Sequence, residues 1–156
     1  VIDTATKPVA YTHCCPSALL NHPRNKSDEQ LRYIADRGGF VGVATVPPFL
    51  PKKYESTVDD YVDAVLHVMN VVGDENVGIA TDITQGQGPE FFDWIASDKG
   101  YGRTLVDMGG VPILRGFETT ADYPNIISAM ERKMTATQLD QVAGRNWVRF
   151  LGEVWN

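Results

Sequence analysis

The chain has 156 residues, enough for one compact domain and too few for two ordinary ones. Hydrophobic residues make up 43% and charged residues 22%, a globular balance that excludes a disordered or collagen-like chain. With 20 acidic against 14 basic residues the net charge is -6, which argues against a general binder of nucleic acid or of an anionic membrane.

In chain order, the first apolar run is Val9-Ala10-Tyr11-Thr12-His13. The second spans residues 39–46 and the third residues 76–82. All three are apolar on both faces rather than alternating, the pattern of parallel strands covered by helices. Between the first two, Ser27-Asp28-Glu29-Gln30 reads as a helix cap followed by Leu31, Ile34 and Ala35, and Gly38-Gly39 ends that helix. Thr57 caps a second helix with Val58, Tyr61, Val62, Val65, Leu66 and Met69 on one face, stopped by Gly73. Strand starts roughly 30–37 residues apart match consecutive βαβ units.

After Asp82 the pattern changes. Gln85-Gly86-Gln87-Gly88-Pro89 is a loop, and residues 90–96 form a short helix with Phe91, Phe92 and Trp94. Residues 98–122 read as an irregular excursion with a short extended piece at 111–114. Two helices close the chain, over 124–133 and 137–154. No apolar run approaches the roughly 18–20 residues of a transmembrane helix.

Three βα units leave two sheet edges open, so the expected fold is α/β: the C-terminal portion of a (β/α)8 barrel, three βα units plus C-terminal helices, with no internal domain boundary. A small open α/β domain is the alternative. His13, Thr45 and Asp82 fall at strand C-termini, the catalytic face of a barrel, which favours the first. The chain opens on Val1 rather than Met, which fits a segment removed or a longer product.

Few side chains carry chemistry. An imidazole at the end of a buried strand, as His13 is, ligates a metal or simply hydrogen-bonds its neighbours. Asp82 shuttles a proton or caps a loop. Arg24, in Asn21-His22-Pro23-Arg24-Asn25, offers a guanidinium fork for a substrate carboxylate, with His22 as a weaker contact. The adjacent Cys14 and Cys15 cannot staple distant segments, lack C-x-x-C spacing, and read as small loop-lining side chains. His67 reads as a surface residue of its helix. The Gln85–Gly88 loop lacks the Lys-Ser/Thr pair of a phosphate loop.

Tyr11-Thr12-His13, then Asn21-His22-Pro23-Arg24-Asn25, then a strand ending Thr81-Asp82 resembles the C-terminal part of the membrane (renal) dipeptidase family. The tail is similar too, with Tyr123-Pro124-Asn125 opening a helix and Gly144-Arg145-Asn146-Trp147 followed by Arg149. The order and spacing agree across nearly all of the chain.

The resemblance implies a binuclear zinc (β/α)8 hydrolase that cleaves dipeptides. His13 would then be the second histidine of the zinc pair, Arg24 the partner of the dipeptide's terminal carboxylate, and Asp82 the proton-shuttling carboxylate. A zinc-bridging hydroxide would attack the peptide carbonyl. The family's other ligands would lie ahead of Val1, so the chain would supply one of the expected zinc ligands and need the N-terminal half of the barrel. Alone it would be inactive.

Some positions depart from the family pattern. Cys14-Cys15 follow the histidine, where a small hydroxyl residue is usual. Asp82-Ile83-Thr84-Gln85-Gly86 stands where many members read Asp-Phe-Asp-Gly, and Phe49, counted with Arg24 and His22 as substrate-binding, falls where some relatives present an Asn and a Tyr, so it lacks a hydroxyl that would help grip substrate. The 88–107 excursion is read either as a lid over the site or as a homodimer contact. Two further classes stay open: an amidohydrolase acting on N-acyl amino acids or cyclic amides, and a non-catalytic binding module or pseudoenzyme.

Overall fold

The computed structural model describes residues 2–95, 97 and 111–155. Three parallel strands, β1 (Ala10–Cys14), β2 (Phe40–Ala44) and β3 (Val77–Ala80), lie in the order β1-β2-β3. Helix α1 (Asp28–Ala35) connects the first pair and α2 (Val58–Val72) the second. Both start as their sequences dictate. Ser27 Oγ accepts from the Gln30 amide while the Gln30 side chain accepts from Ser27 N–H, and Thr57 and Asp60 form the same reciprocal cap on α2. Gly73, at φ 83°, ends α2 in a conformation that glycine adopts at little cost.

The apolar faces of α1 and α2 pack on one side of the sheet. Leu31 and Ile34 of α1, and Tyr61, Val62, Val65 and Val68 of α2, join Val41, Val43, Val77 and Ile79 in a single core. Each fully buried aliphatic side chain contributes about 1.5–3 kcal/mol of transfer free energy. Tyr61 carries its hydroxyl into this core because it donates to the Val43 carbonyl at 3.0 Å.

Alternation along the strands sends Phe40 and Gly78 elsewhere. There the Trp147 and Phe150 rings meet Phe40 at 4.2 and 5.4 Å. A Cβ at Gly78 would stand 2.6 Å from the Phe40 ring and 2.8 Å from Trp147, so only glycine admits that packing.

The second half of the chain is less regular. Helix α3 (Pro89–Ile95) forms where the sequence places it, while residues 98–110, most of the irregular excursion, lie outside the described residues. In place of an extended piece over 111–114, residues 111–113 form no strand and Leu114 bridges Phe117 across a turn in which Gly116 takes φ 85°.

Helix α4 (Tyr123–Glu131) packs on α2. The single helix expected over 137–154 is α5 (Ala136–Asp140) and α6 (Asn146–Trp155), separated by a π-type stretch, Gln141–Arg145, in which Gly144 leaves helical geometry. The break sets Asn146 and Trp147 against β3, where unbroken periodicity does not require them to be.

Among the described residues no helix is long and apolar enough to cross a membrane. The outer edges of β1 and β3 carry no strand partner among them.

Candidate active site

The polar side chains singled out in the sequence gather at the C-terminal ends of the strands, and each is put there by a local device. The β1–β2 register pairs Tyr11 with Val41 and Cys14 with Val43, so Thr12 and His13 oppose the lone Gly42. That is a β-bulge, which re-aims the side chains beside it. Tyr11 and Cys14 both pack on the helix-covered core, while Thr12 and His13 are exposed.

Gly42 is a condition of this arrangement. A Cβ there would overlap the Thr12 carbonyl oxygen. Thr12 Oγ1 lies 2.8 Å from His13 Nδ1, and engaging that nitrogen makes Nε2 the one open to a ligand.

Asp82 follows β3 and is exposed, with φ 51°. Aspartate enters this left-handed region more readily than most residues. The carbonyl just before it is held by Thr45, whose Oγ1 donates to Thr81 O at 2.6 Å. His13 and Asp82 are not in contact. They end β1 and β3, which flank β2, so their strands lie about 10 Å apart at ordinary strand spacing.

His22, Arg24 and Phe49 do come together. The His22 and Phe49 rings are 4.8 Å apart, and the Arg24 guanidinium sits 5.7 Å from the Phe49 centroid. Phe49 itself is only 5% exposed. It lies against two polar side chains, His22 and Arg24.

His22 Nδ1 accepts from the Arg24 amide at 3.1 Å. Burial, and the nearby charges of Arg24 and Lys53, hold the His22 pKa below the ordinary histidine value.

Three residues of this neighbourhood were not picked out as functional in the sequence. Gly42 had a readable signal, a glycine inside a strand, which marks a bulge or a close backbone approach. Asn25 and Lys53 had none that separates them from ordinary loop residues. Cys14 and Cys15 are buried free thiols, as small loop-lining side chains would be. Burial pushes the Cys14 thiol up to about 12 and raises Cys15 as well, so both stay protonated and unreactive. His67, read as a surface residue, is half-buried and bonds Asp28 at 2.9 Å across α1 and α2.

Among the described residues no three His, Cys, Asp or Glu side chains stand close enough to hold a metal ion. His13 and Asp82 alone fall short of the three or four ligands a zinc site takes. By themselves they do not make such a centre, which would need further ligands beyond these two.

Fold and site together define a parallel α/β unit whose reactive side chains are collected at one end of the sheet. The chain belongs to the membrane dipeptidase family, peptidase family M19, whose family model matches residues 1–105. It is similar to dipeptidase tcpJ of Claviceps purpurea, 28% identical over 155 residues that cover 98% of this chain and 31% of that protein.

Among solved structures it superimposes on an amidohydrolase from Pseudomonas aeruginosa with TM-score 0.92 and 49% identity, over 97% of this chain and 47% of that one. A Rhodobacter sphaeroides metallopeptidase, solved with a phosphinate mimic of the dipeptide L-Ala-D-Ala, shares the fold at TM-score 0.75 and 20% identity. The match covers 97% of this chain and 37% of that one. The chain thus spans between about a third and a half of the length of these relatives.

Proposed function

We propose that residues 1–156 are the C-terminal part of a single barrel domain that hydrolyses dipeptides with the help of zinc. The observation that carries this reading is the grouping of Arg24 and His22 on the Phe49 ring, at the same end of the sheet as His13 and Asp82. The family supports it, since M19 metallopeptidases are zinc-dependent in general. The open edges of β1 and β3 favour a sheet continued by further strands.

In this reading each side chain has one task. Arg24 binds the free carboxylate of the substrate through its planar donor fork. His22, its ring tilted against Phe49 at 4.8 Å, borders the same site as a weaker substrate contact. Asp82, solvent-accessible at the strand end, moves a proton between the attacking water and the leaving amine. His13 contributes one ligand nitrogen through Nε2, the remaining ligands coming from the rest of the barrel. Zinc, if held by His13 together with ligands from the rest of the barrel, would supply Lewis acidity and an activated water.

A second reading, hydrolysis of N-acyl amino acids or cyclic amides, is favoured by the description of the 49%-identical structure as an amidohydrolase. Both N-acyl amino acids and dipeptides present a carboxylate to Arg24. Purified longer protein containing this chain, loaded with zinc, is assayed against dipeptides, N-acyl amino acids and cyclic amides. Turnover of dipeptides well above the other classes supports the first reading, and the reverse order supports the second. Turnover of none, with zinc bound, overturns both.

A further inference from the structure

We propose that Asn25 is a positioning residue for Arg24: its side-chain amide clamps the loop that carries Arg24 to the turn that carries Phe49. The inference rests on the reading of Arg24 as the partner of the substrate carboxylate. Asn25 is 6% exposed, an unusual degree of burial for an asparagine in a loop. Its Nδ2 donates to the Leu20 carbonyl at 2.8 Å and to the Phe49 carbonyl at 3.0 Å. One of these acceptors belongs to its own loop and the other to the 3-10 turn Pro47–Phe49.

The base of the loop is closed independently. Lys26 N–H donates to Cys15 O at 2.9 Å and Ser17 N–H to Lys26 O at 2.8 Å. The loop therefore does not need Asn25 in order to close. What Asn25 adds is the link to Phe49, the ring over which Arg24 and His22 lie.

The chemistry of the amide is one-sided. Two carbonyls face it, so only the NH2 end can meet them, and a carboxylate in its place would meet two acceptors with none of its own donors. The Asn25 Oδ1 is buried without a partner among the described residues, a cost that the two donated bonds offset. Losing the clamp frees the Arg24 loop to move against Phe49. A displaced guanidinium fork grips a carboxylate poorly, because two parallel hydrogen bonds need fixed geometry.

The experiment uses the longer, zinc-loaded protein and two probes: a dipeptide that it turns over, and the same dipeptide as its C-terminal amide, which has no carboxylate. Asn25→Ala is expected to raise KM for the dipeptide roughly ten-fold and to shift KM for the amide less than about two-fold. Arg24→Ala is expected to raise the dipeptide KM by roughly a hundred-fold. The double variant should match Arg24→Ala alone, since Asn25 acts through that side chain. Asn25→Asp keeps the shape, removes the donors and should impair at least as much as Asn25→Ala.

Equal loss on dipeptide and amide, or additive losses in the double variant, overturns the inference and makes Asn25 a fold-stabilising residue only. Impairment by Arg24→Ala with no change from Asn25→Ala overturns it while leaving the carboxylate reading intact. An Arg24→Ala variant with unchanged dipeptide KM overturns the carboxylate reading and the inference with it. If Asn25→Ala does not fold, Asn25→Ser, which keeps one smaller donor, takes its place in the same comparison, and failure of that variant to fold also overturns the inference.

Discussion

Two buried asparagines, at opposite ends of the sheet, do similar bonding for different ends. Asn146, at the start of α6, donates through Nδ2 to Asp74 O at 2.6 Å and Val77 O at 2.8 Å. Its neighbours repeat the pattern: Trp147 Nε1 donates to Ile79 O at 2.8 Å and Arg149 to Glu75 O at 2.7 Å. Every one of these bonds ties helix to strand or to the turn before it, and the Trp147 ring is wedged on Phe40 and Gly78.

Asn25 instead ties two loops to each other, with His22 and Arg24 left reaching outward. The end near α6 is closed over these bonds, although Arg149 Nε is buried there without a partner among the described residues. The other end leaves His13, Arg24 and Asp82 exposed. In barrels, residues at the bottom of the sheet serve stability and those at the strand C-termini serve catalysis, and the proposed function reads the two ends of this sheet in the same way.

Substitutions at the two ends should therefore separate activity from stability. On the proposed reading, the largest effect is expected from Asp82→Asn in the longer, zinc-loaded protein, where loss of the carboxylate lowers kcat by roughly 10²–10⁴-fold. Asparagine tolerates φ 51°, so the melting temperature should hold; a matching fall in stability would break the division. Trp147→Ala should do the opposite, costing about 3–5 kcal/mol in denaturant unfolding while leaving substrate KM near the parent value.

Gly42→Ala tests the border between the two ends. The added methyl meets the bulged β1 backbone and should cost about 1–3 kcal/mol. Because the bulge aims His13, zinc content of the longer protein should fall as well, and unchanged metal content would show that the bulge does not serve the site.

The smallest effect is a pH slope from His22. Its folded pKa is lowered, so the unfolded chain takes the proton first as pH falls past the ordinary value of 6.5. Stability contributed by neutral His22 is full above that value, declines below it, and levels off under the folded pKa. His22→Gln should remove this part of the acid slope, as read from melts between neutral and acid pH.

The sequence was informative where the determinants are local. Ser27 with Gln30 and Thr57 with Asp60 lie three residues apart, so both helix starts were legible, as were the three parallel strands and their order along the chain. The site was legible in part. His13, Arg24 and Asp82 stand out by residue type at strand ends and in the following loop, and family resemblance supplies their roles. The break at Gly144 was not legible, because the apolar spacing of residues 139–154 suits one helix as well as two.

By itself, then, the sequence determined the α/β elements, their caps, the acidic surface and the family to which the chain belongs. Tertiary structure alone decided that His13 is turned out by a bulge over Gly42, that Phe49 is buried against His22 and Arg24, and that Asn25 and Asn146 each bridge two carbonyls. The physical reason is range. Caps and periodicity are satisfied within a few residues, whereas a buried amide finds its partners among carbonyls left unpaired after distant segments meet, 24 residues away for Asn25 and Phe49 and 69 for Asn146 and Val77.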